Sequence, residues 1–158
     1  EKHGCTPFTF SGWICYNVVI NTILLRIIES KCRKEERAMN DSCIHIDRIS
    51  AGWIDGTIHD EHTVVIFSNS YLENFLDDFM LAILTVLGEY PTDRHKNTFR
   101  AEMEPIIAKW MFSVVKDEIH IHVIEYEDDD ILSDKTIVLK TSVFLHDFVK
   151  EMTSVESV

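Results

Sequence analysis

The chain has 158 residues, with a hydrophobic fraction of 46% and an aromatic fraction of 10%. That is enough apolar mass for one packed domain and too much for a disordered acidic tail. Fifteen Lys/Arg against 27 Asp/Glu give a formal net charge of -12, which argues against nucleic acid or an anionic membrane as partner and favours a basic protein surface. The charge is uneven: residues 1–38 hold six Lys/Arg and four Asp/Glu, a net of +2, and residues 39–158 hold nine and 23, a net of -14. The chain therefore reads as an N-terminal apolar and basic segment, 1–38, followed by an acidic domain, 39–158.

Four cysteines, Cys5, Cys15, Cys32 and Cys43, fall in the first 43 residues. No two are spaced as a CxxC metal pair, and the expectation is a reducing, cytoplasmic setting. No charge occurs from Cys5 to Leu25, and Arg26, Lys31, Arg33, Lys34 and Arg37 follow. Three readings of this segment stand. It has the layout of a membrane anchor with a basic cytoplasmic flank, though Thr6, Pro7, Ser11, Asn17 and Asn21 are poor residues for a span. It also fits a core helix over Trp13–Glu29 with Ile14, Val18, Leu25 and Ile28 on one stripe. Alternatively, the codons of Lys34-Glu35-Glu36 form a ribosome-binding site ahead of Met39, and residues 1–38 are translated upstream sequence.

In the acidic domain, Ile44 and Ile46 alternate with His45 and Asp47, which predicts a first strand ending near Ser50. A short extended piece from Gly52 to Thr57, a turn at Asp60-Glu61 and the β-rich run Val64–Phe67 follow. Ser70-Tyr71-Leu72-Glu73 reads as a capping box. Leu72, Phe75, Leu76, Phe79, Met80, Ile83 and Leu87 then recur at helical spacing, predicting an amphipathic helix from Tyr71 to Leu87 ended by Gly88 and Pro91. Beyond a polar loop, Phe99–Glu104 and Ile106–Val115 read as extended segments, with Lys116-Asp117 as a hairpin turn. Glu118–Tyr126 returns as a strand with Ile119, Ile121 and Val123 on one face and His120 and His122 on the other. An acidic loop, Glu127–Asp134, leads to a short strand Thr136–Leu139, and Ser142 caps a final helix carrying Phe144, Leu145, Phe148 and Met152. The order β-β-α-β-β-β-α predicts an α+β fold, an antiparallel sheet with helices packed on one face.

Phe67-Ser68-Asn69-Ser70-Tyr71-Leu72, then Phe75-Leu76-Asp77-Asp78-Phe79, Glu104-Pro105 and Trp110, resembles a recurrent signature of small bacterial α+β proteins. In that signature an aromatic strand runs into a Ser-Tyr-Leu helix start, and a Glu-Pro dipeptide and a Trp-bearing strand follow. The resemblance spans roughly Ile49 to Tyr126. Similar small acidic domains occur as immunity proteins beside contact-dependent and polymorphic toxins. The resemblance implies that role and carries over no catalytic residue.

Candidate chemistry is sparse. His120-Ile121-His122 with Glu127 has the spacing of a cupin metal motif, without its glycines or its second half. His59 and His62 flank the Asp60-Glu61 turn and could join His120 and His122, as could His45, but the reading preferred for these histidines is structural or solvent-facing, with no metal and no cofactor. Asp77-Asp78 is expected on an exposed helix face. Phosphate-loop, nucleophile-elbow and EF-hand patterns are absent from the sequence, so a non-enzymatic role is expected. The binding expectation rests on Asp55, Asp60 and Glu61 in one stretch and on Glu125, Glu127, Asp128, Asp129, Asp130 and Asp134 in another. These carboxylates would meet a toxin with a basic surface, such as a nuclease, with Trp53 or Tyr126 as an aromatic anchor. The alternative from another class is a structural or regulatory protein-interaction domain, tethered to a membrane through residues 5–25.

Overall fold

Among the described residues, apolar side chains at alternate positions, broken by short polar turns, give seven strands and two helices in the order β-β-β-α-β-β-β-β-α. The computed structural model describes residues 42–50, 53–70, 75–89, 97–103 and 105–155, all within the unit Ala38–Val158. The helix expected over Trp13–Glu29 and the capping-box residues Tyr71–Glu73 lie outside the described residues.

The fold is α+β, but its strands form two antiparallel sheets where one was expected. The first joins β1 (Ile44–Ser50), β2 (Trp53–His59) and β3 (Val64–Ser70) in that order; the second joins β4 (Thr98–Met103), β5 (Ile106–Val115), β6 (Glu118–Glu127) and β7 (Asp130–Lys140). The expected short piece Gly52–Thr57 is a full strand running to His59. Gly56 occupies an inward position between buried Ile54 and Ile58, so the glycine continues the pattern instead of ending it. A Cβ on Gly56 would lie 2.5 Å from the His45 carbonyl oxygen and from Phe67 Cζ, so only glycine fits this place.

Helix α1 (Phe75–Leu87) buries Phe75, Leu76, Phe79, Met80 and Ile83, the stripe read from the sequence. It ends in a Schellman motif: Gly88 has φ +70°, its N–H donates to Thr85 O, and Glu89 N–H donates to Leu84 O. Phe67, Phe75, Phe79, Phe99, Trp110 and Phe112 form one aromatic cluster that joins the first sheet, α1 and the second sheet. Phe79 also meets Phe148 of helix α2 (Thr141–Val155) at 5.6 Å between ring centroids. Both helices therefore lie on the inward face of the second sheet, the face that carries Trp110, Phe112, Ile119 and Ile121. Helix α2 begins at Thr141, two residues earlier than a cap at Ser142 would place it, so Ser142 falls inside its first turn.

Carboxylates cap parts of two sheet edges. Asp147 and Glu151, one turn apart on α2 and both buried, accept the backbone N–H groups of Cys43 and Ile46 at β1 (2.9 and 3.0 Å). On the second sheet, Asp60 in the β2–β3 turn accepts the Val138 N–H of β7, and Lys135 Nζ reaches the Val64 carbonyl from the opposite direction. An open edge invites pairing with other chains, and a side-chain acceptor placed on it removes the invitation at that point.

Candidate functional site

The nine acidic residues expected to bind a partner divide into two groups. Asp55 and Asp60 turn inward to the fold's own needs. The bulge between Ile46 and Arg48 sets Arg48 opposite Asp55, whose Oδ2 accepts from Arg48 Nε and whose Oδ1 accepts from Ser68 Oγ at 2.6 Å. The Ser68 hydroxyl, together with the Arg48 guanidinium, holds the Asp55 carboxyl below its ordinary value. Asp60 accepts the backbone amides of His62 and Thr63 on Oδ1 and of Val138 on Oδ2. Burial works against its charge, yet those three amides together with His62 outweigh burial and its carboxyl is also lowered. Both residues thus serve the fold while remaining partly exposed, and neighbouring Glu61 is exposed.

The second group gathers at the β6–β7 hairpin. Here the expected loop Glu127–Asp134 is a two-residue turn: β6 runs to Glu127, β7 begins at Asp130, and Glu127 pairs directly with Asp130. Asp128 and Asp129 take positive φ, 48° and 69°, the signature of the type I′ turn that matches strand twist. Asp tolerates this backbone region better than most L residues, which is why two aspartates serve where Asn-Gly is commoner. Glu127, Asp128, Asp129 and Asp130 are consequently four exposed carboxylates at one tip. From Asp117 to Asp134 the chain holds eight acidic residues and no Lys or Arg. Glu125 pairs with buried Ala108 and lies half-buried on the inward side, and Asp134 accepts from His122 Nε2 at 2.6 Å.

Apolar side chains stand within this acidic tip. Tyr126 pairs with Ile107 on one side and with Ile131 on the other, so the three share one row of the outer sheet face. Ile131 is 62% exposed, Leu132 beside it is 51% exposed, and Tyr126 and Ile107 are half-buried. Leu132 is exposed because the ladder slips at Glu125/Tyr126 and leaves it without a partner residue on β6. The expectation of an acidic loop missed Ile131 and Leu132; two adjacent β-formers inside a run of acids were the available signal. The other anchor candidate, Trp53, is 39% exposed and sits on the first sheet, beside Ser70 of β3.

His45, His59, His122 and His146 contact neighbouring acids or carbonyls, whereas His120 Nε2 is buried without a hydrogen-bond partner. His45 Nδ1 meets Glu151 Oε2 at 3.1 Å, His59 Nε2 contacts the Ser42 carbonyl oxygen, and His120 Nε2 lies 3.7 Å from Glu118. Among the described residues, no three His, Cys, Asp or Glu side chains converge as a metal site. Asp77, expected on an exposed helix face with Asp78, is half-buried; burial and then the Asp78 charge push its carboxyl above the ordinary 3.8. Among the described residues no helix is long and apolar enough to cross a membrane. No family model, curated protein or solved structure matches the chain.

Proposed function

We propose that this chain is a bacterial immunity protein of the contact-dependent or polymorphic toxin kind, which binds and neutralises a cognate toxin domain with a basic surface, such as a nuclease, in the cytoplasm. The observation that carries the reading is the β6–β7 tip, where four successive carboxylates stand around exposed Ile131 and Leu132 and half-buried Tyr126. An apolar centre with a charged rim is the anatomy of a protein-binding patch. The rim speeds encounter with a cationic partner, and the centre slows dissociation once water is expelled. Occupying a nuclease's basic groove with these carboxylates would deny that groove to substrate phosphates, so inhibition needs no chemistry from this chain.

The gene immediately upstream is the first test: a toxin domain encoded there supports the reading and supplies the binding partner for the purified protein, and a biosynthetic operon there overturns it. Replacing Asp128-Asp129 by Asn-Gly keeps both positive-φ positions and removes two charges. Combined with Asp130→Lys, it should slow association about tenfold at low salt, with the difference vanishing in high salt. Ile131→Ser with Leu132→Ser should instead speed dissociation. Unchanged rates in both variants, with toxin protection intact, remove the hairpin tip as the interface.

A further inference from the structure

Strand β7 has an unfinished edge. The Val138 N–H turns away from β6 and donates to Asp60 Oδ2, so His120 and Val138 are a non-hydrogen-bonded pair. Outward-facing backbone groups alternate along an antiparallel strand, and the same parity turns the N–H and C=O of Thr136 and Asp134 outward. Among the described residues the first sheet meets this strand by hydrogen bonds at two points, Asp60 on the Val138 N–H and Lys135 Nζ on the Val64 carbonyl, and neither uses the main chain of Asp134 or Thr136. The bulge at Leu132 bounds the stretch at the other end, and Asp134, Lys135 and Thr136 between them are exposed.

The geometry points to a strand-addition site: the β7 edge from Leu132 to Thr136 receives an extended, cationic segment of a protein partner as an extra strand. Main-chain hydrogen bonds to Asp134 and Thr136 supply the attachment. The charge selects the occupant. The edge follows a stretch of eight acidic residues without a Lys or Arg, and the cation within it, Lys135, donates its Nζ to the Val64 carbonyl, so a second copy of this chain would bring carboxylates against carboxylates, whereas alternating Lys or Arg would meet Asp130 and Asp134. Exposed Leu132 at the bulge offers apolar contact to the intervening side chains. The inference deepens the immunity reading, in which the toxin would supply the segment, and it stands or falls on the edge itself.

The probe is an acetylated, amidated peptide of about seven residues alternating lysine and valine, long enough to span such an edge. Amide hydrogen exchange of the full-length protein reads the result. The peptide should slow exchange at Asp134 and Thr136 about tenfold while leaving buried β6 amides such as Ile121 unchanged. The same peptide N-methylated at every residue should give no protection, and a glutamate–valine peptide should give none. Thr136→Pro removes an outward N–H without touching the β6 ladder and should abolish peptide protection. No protection by the lysine–valine peptide overturns the proposal, as does equal protection by either control peptide. Concentration-dependent dimerisation of the free protein that protects the same amides overturns the cationic assignment. A toxin that still binds Thr136→Pro but not the hairpin-tip variants would remove the edge and leave the immunity reading standing.

Discussion

Asp60 and Val138, 78 residues apart, are joined by a hydrogen bond of 3.0 Å between a turn carboxylate and a strand amide. The bond clips the β2–β3 turn of the first sheet to the outer strand of the second. Asp60→Ala deletes the acceptor for that amide and for His62 and Thr63, and should cost about 1–2 kcal/mol after allowance for solvent screening. Urea denaturation of the variant checks it, with the loss expected in the midpoint and not in the slope.

The pH response has a defined sign. The Asp60 and Asp55 carboxyls are lowered in the folded state from an ordinary 3.8, so their stabilisation is present above that value and lost as pH falls through the folded one. Asp77 is raised, so it favours the fold below 3.8 and withdraws that support as pH rises through its folded value. Asp77→Asn should therefore increase stability at pH 7 and lose that advantage near pH 3. Denaturation midpoints of the wild type and Asp77→Asn across that range decide the matter.

Replacing Asp128-Asp129 by Asn-Gly should stabilise the protein by about 0.5–1 kcal/mol, since both residues hold positive φ and glycine does so without strain. Asp129→Val should do the reverse. A thermal melt of both variants suffices, and equal melting points would mean that this turn stores no strain.

Gly56→Ala should be far more disruptive than its size suggests. The added methyl would overlap the His45 carbonyl oxygen and the Phe67 ring at 2.5 Å, and overpacking of this kind costs about 1–3 kcal/mol or more. The aromatic cluster would feel the shift through Phe67, which packs edge-on against Trp110, so tryptophan fluorescence should change along with the urea midpoint.

Asn69 is fully buried, and neither its Oδ1 nor its Nδ2 has a hydrogen-bond partner. Burying an amide without partners is costly, so Asn69→Leu should raise stability by about 1 kcal/mol. A lower denaturation midpoint in that variant would show that the amide is satisfied in solution.

The helices were legible because their signal is redundant. Phe75, Leu76, Phe79, Met80 and Ile83 repeat one spacing often enough that no single substitution hides it, and Gly88 marks the end. Strand β6 was equally plain, with Ile119, Ile121 and Val123 buried and His120 and His122 half-exposed. Strand β7 was not, because its first half alternates nothing: Asp130, Ile131 and Leu132 are all exposed, and the bulge breaks the period of two. The division into two sheets also escaped, since it depends on which strands pair and not on where strands lie. Asp55 and Asp60 look like plain surface acids in a sequence; only their partners Arg48, Ser68 and Val138 reveal that they also fasten the fold.

The clasp of Asp147 on Cys43 spans 104 residues, and that of Glu151 on Ile46 spans 105. During synthesis β1 emerges from the ribosome long before the helix that closes it. For most of translation the Cys43 and Ile46 amides must wait for the two carboxylates that bind them in the finished fold, which arrive only with the last turns of α2. A stop codon placed just before Thr141 would thus release a chain that holds all seven described strands and lacks both of these carboxylates, a species disposed to aggregate in the cell.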